Sequence, residues 1–299
     1  SIDDASDLTV IPCLFEALGN HHGSAIMTPD GAIRARIYSP DMCCEQIDMV
    51  TVSGDDLEYW WNDQIIDGAP PKRPRAFTGE MTEVMSRLSV AVIGASGTGS
   101  IVAELFARLG IGKITLVDFD EVEAKNLNRI LNSTLDDVGA KRNKAQMLRD
   151  FINKYRYGEV ASAFPMSINN RDAIIGVGQC DFIVCCVDTQ EARQLADLIS
   201  SAFLMPLFDV GVVIPTRTDG VDVQIADACG RIDYVQPGGS NLRDREVYSS
   251  EGLRAEYLRN TDPEAFRNEV AEGYIKGLLE EAPSVITLNM RAAATAANE

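Results

Sequence analysis

Histidine and positive charge are scarce in this sequence. His21 and His22 are the only histidines in 299 residues, and 27 basic residues face 45 acidic ones, a net charge of −18. That imbalance argues against binding to nucleic acid or an anionic membrane, because either would be repelled. Adjacent histidines without companion ligands read as an exposed turn rather than a metal centre. No apolar run approaches the ~20 residues that a bilayer span needs. No basic-then-apolar leader opens the chain, although it begins at Ser1 rather than Met, so an upstream segment is expected to be missing. Cys-x-x-Cys is absent as well. The seven cysteines are odd in number, and Cys180, Cys185 and Cys186 sit in one apolar run. They read as reduced, strand-buried residues of a cytoplasmic protein, not as a disulfide framework.

What is present is a core. With 45% hydrophobic and 24% charged residues, the chain can build one large or two ordinary domains. Residues 1–68 read as a small α+β segment. Helical spacing runs from Asp7 to Leu18, and two strands flank the turn Pro29-Asp30-Gly31. Another short strand covers Met49 to Val52. Residues 69–87 read as a linker, because Gly68 to Arg75 is rich in proline and basic residues.

From 88 to 299 the rhythm changes to strand, helix, strand. Leu88 to Ile93 is continuously apolar, as a strand covered on both faces should be. A helix from Ile101 to Leu109, a strand from Gly112 to Asp118, and strands from Cys180 to Asp188 and Met205 to Asp209 follow. Helices are expected over Glu191 to Ala202, Glu264 to Lys276 and from Pro283 to Glu299. The pattern predicts an α/β fold with a Rossmann-like, doubly wound, mostly parallel sheet.

Gly94, Gly97 and Gly99 punctuate the turn after the first strand of this region. Glycines there let the backbone approach a phosphate, while the helix start favours the anion. Asp118 ends the next strand, 19 residues after Gly99, where an acid can accept from ribose hydroxyls. Ser96 stands where the dinucleotide fingerprint has glycine. The turn alone does not separate NAD from ATP.

The segment from Asp118 through Asp120 to Asn126-Leu127-Asn128-Arg129 separates them. Followed by Gly139, Lys144-Ala145, Val187-Asp188, Ala192-Arg193 and Phe208-Asp-Val-Gly211, it resembles the ThiF/MoeB/HesA superfamily of ubiquitin-activating-type adenylyltransferases. The resemblance runs from about Leu88 to Glu299. It implies binding of ATP and Mg2+, with Asp118 on the ribose, Asn126, Arg129 and Lys144 on the phosphates, and Asp188 on the metal. Arg142 and Lys141 compete with Lys144 for the lysine position. The resemblance implies adenylation of the C-terminal carboxylate of a ubiquitin-like or other small protein, by a homodimer that hands its product to a conjugating protein. An NAD-dependent oxidoreductase would leave Arg129, Lys144 and Asp188 unexplained. A non-catalytic, nucleotide-binding dimeric scaffold is the alternative.

Relatives often carry thiols after the Gly211-type turn. Asn241 and Asp244 stand there in this chain, so no structural zinc is expected, and a thioester step is absent or uses another thiol. Cys229 has no Lys or His beside it and is not nominated. Ser1-Ile2-Asp3-Asp4 resembles the end of the JAB (JAMM) zinc-isopeptidase motif. Residues 1–68 then resemble the end of a JAB domain fused to a ThiF-like domain, with Asp4 at a ligand position and no peptidase activity of its own. Lys72 or Arg73 resembles the arginine that reaches a partner's nucleotide in the family's dimers.

Overall fold

A computed structural model describes residues 2–29, 32–62, 79–213, 216–219, 222–225, 229–272 and 285–298. The chain divides into two compact units, Ser1–Glu80 and Met81–Glu299.

In the first unit, helix α1 (Ile2–Leu18) precedes strands β1 (His22–Met27), β2 (Ile33–Tyr38) and β3 (Cys44–Gln46), which form an antiparallel sheet. Strands β4 (Met49–Ser53) and β5 (Leu57–Trp61) make a separate hairpin. The expected hairpin around Pro29 exists as the β1–β2 pair, though Asp30 and Gly31 lie outside the described residues. Asp7 ties α1 to that pair: it accepts from Ser24 Oγ at 2.9 Å and Tyr38 OH at 3.1 Å, and pairs with Arg36 at 3.0 Å. His22 is not in a turn. It opens β1, and its ring lies 5.0 Å from that of Phe15, because the apolar helix face needs a lid there.

Helix α2 (Gly79–Arg87) begins at the end of the first unit and continues into the second, at the end of the segment read as linker. The half-buried Met81, Val84 and Met85 recur at helical spacing, which the preceding prolines obscure. Linker residues 69–78, with Lys72 and Arg73, lie outside the described residues.

Next come β6 (Ser89–Ile93), α3 (Gly97–Leu109), β7 (Lys113–Val117), α4 (Leu135–Gly139), α5 (Lys144–Tyr155) and β8 (Ala161–Phe164). Then α6 (Arg171–Gly178), β9 (Phe182–Cys185), α7 (Gln190–Phe203) and β10 (Leu207–Val213) complete the parallel sheet. Beyond a β11 (Thr216–Asp219) and β12 (Asp222–Ile225) hairpin, β13 (Cys229–Val235) returns antiparallel along β10. The order is β13-β10-β9-β6-β7-β8. This is the expected Rossmann-like sheet, with one antiparallel edge.

Val90, Ala91 and Val92 are fully buried, as are Ile183 and Leu207. The core between sheet and helices removes these side chains from water, the dominant favourable term in folding. The helix expected from Glu264 is α9 (Pro263–Ala271), and an unforeseen helix, α8 (Ser250–Thr261), precedes it. Pro263 has no N–H to continue the first, and Asp262 caps the second by accepting from Ala265 N at 3.0 Å. Helix α10 (Ile286–Asn298) packs along α3 and against β10.

Candidate active site

Strand β6 has β7 on one side and β9 on the other, so chain direction across the sheet reverses there. A crevice at the carboxyl ends of such strands is the usual ligand site of doubly wound sheets. The turn from Gly94 to Gly99 lies at that point. Gly94 has φ +88°, and a Cβ on it would sit 2.9 Å from the Cys186 carbonyl. A Cβ on Gly99 would overlap the Gly94 carbonyl oxygen. The glycines thus serve the packing of the turn itself as well as any ligand. A Cβ on Gly97 would meet the Asn289 side chain and lie 3.2 Å from Arg129 Cδ.

Each of α4 to α9 has a side chain accepting from its first-turn amides: Thr134, Asn143, Asn170, Thr189, Ser249 and Asp262. Helix α3 has none, and no acid in its first turn. Its uncapped N-terminus faces the crevice with positive partial charge.

Asp118 lies beside this turn, nearly buried. Its Oδ2 accepts from Ala95 N at 2.6 Å and its Oδ1 from Asp120 N at 2.8 Å. Burial raises its pKa, against the opposing pull of Lys144 and the two amides. Lys144 is buried at the start of α5 and holds Asp120 Oδ2 at 2.7 Å. Asn143 fastens the same loop, donating to Asp118 O at 2.8 Å. The three cations differ in their partners. Arg142 turns away, to Asp137 at 3.0 Å and Asp150 at 2.5 Å. Lys141 is exposed in a left-handed turn, φ +50°. Asp120, quoted in the motif but not singled out, belongs to the site as the counter-ion of Lys144.

Arg129 donates to Lys125 O at 3.0 Å and has no ion pair with a described residue. Asn126 is buried, and its Oδ1 accepts from Glu123 N at 3.1 Å, which folds the loop that presents Arg129. Asp188 is exposed just after β9 and makes no hydrogen bond or ion pair with a described residue.

Among the described residues, no three His, Cys, Asp or Glu side chains cluster as a metal site. Mg2+ does not require such a cluster. It takes one or two carboxylates and keeps water and substrate phosphate as its other ligands. The unpaired oxygen donors of Asp188 fit that chemistry.

Two buried features escaped the sequence reading. Asp209, fully buried on β10, lies between Arg193 at 3.4 Å and Arg231. Arg231 also reaches Asp233 at 3.2 Å. A lone acid in an apolar strand gives no sign of its partners. Glu256, on α8, reaches the N-terminus of α7. Asn241 and Asp244 cap each other's amides at 2.9 and 3.1 Å. Burial pushes the Cys185 and Cys186 thiols up, with Asp209 adding to the effect, so neither is a ready thiolate nucleophile.

No helix among the described residues is long and apolar enough to cross a membrane. The chain is similar to proteins named ubiquitin-like modifier-activating enzyme 5. That of Culex quinquefasciatus is 31% identical over 167 residues, 52% of this chain and 39% of that protein. That of Aedes aegypti is 31% identical over 190 residues, 58% of this chain and 45% of that protein. The match therefore spans less than half the length of these relatives. Crystal structures of E. coli MccB, one with ATP and one with MccA-N7isoASN, align over 73% of this chain and 56% and 57% of theirs. Their TM-scores are 0.51 and 0.54 at 20% and 21% identity, a likeness of fold. A sequence model of the ThiF family matches residues 73–288, most of the chain and all of the residues that build the crevice, and to that family the chain belongs.

Proposed function

We propose that this chain adenylates the C-terminal carboxylate of a small protein or peptide at the expense of ATP, with a ubiquitin-like modifier as the preferred class. The observation that carries the reading is the crevice at β6. The start of α3 has no capping side chain, Arg129 lies against Gly97 of that turn, Asp118 accepts from Ala95 N within it, Lys144 is held on Asp120, and Asp188 has no ion pair with a described residue; the reading groups them as one nucleotide site. The similar proteins named as modifier-activating enzymes, and MccB solved with ATP and with MccA-N7isoASN, support the same chemistry.

In this reading the amides at the start of α3 receive phosphate oxygens, and Asp118 accepts from the ribose. Lys144 exchanges its contact with Asp120 for a phosphate oxygen, and Arg129 neutralises a further one. Asn126 acts through the loop it folds. Asp188 would hold Mg2+, which when bound adds charge neutralisation at the triphosphate. One carboxylate oxygen of the substrate attacks the α-phosphorus. The bond to the β-phosphate bridging oxygen breaks, and pyrophosphate leaves with that electron pair. No general base is needed, because a C-terminal carboxylate is ionised at neutral pH. The crevice supplies position and charge.

Residues 1–68 are proposed as the end of a JAB-like α+β domain, 69–87 as the connection and 88–299 as the adenylating domain. The α1–hairpin order supports the first assignment. A homodimer and a conjugating protein complete the proposal, with the thioester step absent or carried by a thiol elsewhere.

Pyrophosphate exchange into ATP, measured with a C-terminal peptide or protein acceptor, tests it. Arg129→Ala and Asp188→Ala are expected to lower exchange by about 100-fold or more while leaving the fold intact, the scale of losing one transition-state charge contact. Full exchange in both variants would refute the site assignment.

A further inference from the structure

Asp188 stands immediately ahead of helix α7, whose first amides are met from elsewhere. Both oxygens of Glu256 accept from Gln190 N, at 2.8 and 2.9 Å, and one accepts from Glu191 N at 3.1 Å. Thr189 Oγ1 accepts from Ala192 N at 3.4 Å. Glu256 is only 8% exposed, and α8 is seated firmly enough to bring it there. Ser249 N donates to Gln190 Oε1 at 3.0 Å, and Gly252 packs so closely on Gln190 that a Cβ would overlap its side chain.

A carboxylate on a helix N-terminus satisfies orphan amides and the positive end of the dipole. Asp188 is the acid just ahead of the N-cap Thr189, while Glu191 lies within the first turn. Asp188 is exposed and has no hydrogen bond or ion pair with a described residue, while a carboxylate about seventy residues later occupies the helix start.

Resting on the reading of Asp188 above, we propose that Glu256 is a positioning residue for Asp188. By occupying the α7 N-terminus, it keeps the Asp188 carboxylate from folding back onto Gln190 N and Glu191 N. The carboxylate then remains available to the metal–nucleotide substrate. Glu256 itself touches neither ATP nor the acceptor. Its effect is on how much Mg2+ strengthens ATP binding.

Calorimetric titration with ATP, once with Mg2+ and once with EDTA, reads that quantity directly as a ratio of affinities. Wild type, Glu256→Ala, Glu256→Gln, Asp188→Ala and the double variant Glu256→Ala/Asp188→Ala are compared. Glu256→Ala should reduce the ratio by about tenfold, as loss of a ligand-orienting partner does. Glu256→Gln keeps an acceptor and should lose less, and it carries the test if the alanine variant does not fold. The double variant should match Asp188→Ala alone, since Glu256 acts through Asp188. A merely structural role would weaken ATP binding equally with and without Mg2+. That outcome, or an additive double variant, overturns the proposal while sparing Asp188. A wild-type ratio near one overturns both.

Discussion

The residues that matter most here are charged groups whose partners are fixed by long-range packing. Asp209 is the sharpest case. It is fully buried, and burial raises its pKa despite Arg193 and Arg231 beside it. Removing it leaves two guanidinium groups without their shared counter-ion. Asp209→Ala is therefore expected to destabilise the protein by about 3 kcal/mol, the low end for a broken buried pair because Arg231 is partly exposed. Urea denaturation measures this, and a change below 0.5 kcal/mol, the scale of an ordinary surface substitution, would contradict it. The cysteines divide by the same logic. Cys13, Cys43 and Cys44 are exposed, while Cys180 and Cys185 are buried with raised thiol pKa values. Iodoacetamide at neutral pH should label the first three and spare the other two in the folded state, as peptide mass spectrometry would record.

At the scale of elements, the turn between β6 and α3 sets the site. Gly94 holds a left-handed φ against the end of β9, and Gly99 lets α3 close on the turn. Gly94→Ala adds strain of about 1–2 kcal/mol from φ alone, and its Cβ also meets the Cys186 carbonyl. A lowered melting temperature together with weakened ATP binding is expected, and an unchanged melting temperature would contradict the turn's geometry. Much of this element was legible in advance. Glycine spacing after an apolar strand, followed by an acid at the end of the next strand, is a local pattern that local chemistry explains. The start of α2 was not legible, because prolines before it masked the Met81, Val84 and Met85 spacing. Nor was the antiparallel return of β13, whose direction is set by pairing with β10 rather than by its own residues. The different partners of Lys141, Arg142 and Lys144 were not legible either, since only packing places Arg142 on Asp137 and Asp150. The partners of Glu256 and Asp209 were hidden for a related reason: a single acid becomes informative only once its distant partners are known.

For the molecule as a whole, the acidic balance couples stability to pH in two opposing ways. Asp118 has a raised pKa in the folded state, so it binds a proton where the unfolded chain has released one. Its contribution to stability therefore falls as pH rises from about 4, the ordinary carboxylate value, through the raised one. Asp137, held below that range by Thr134 and Arg142 although burial opposes them, contributes stability above it and loses it as pH falls. Relative to Asp118→Asn, the wild type should lose urea stability as pH rises from about 4. A difference independent of pH would contradict the buried-carboxylate description.

Which nucleotide the crevice takes decides the function of this chain. Calorimetric titration of the purified chain with Mg-ATP, with NAD in parallel and Arg129→Ala as the matched variant, tests that most directly. The account expects ATP binding that Arg129→Ala weakens severely, and no binding of NAD. NAD binding, or ATP binding indifferent to Arg129, would contradict it.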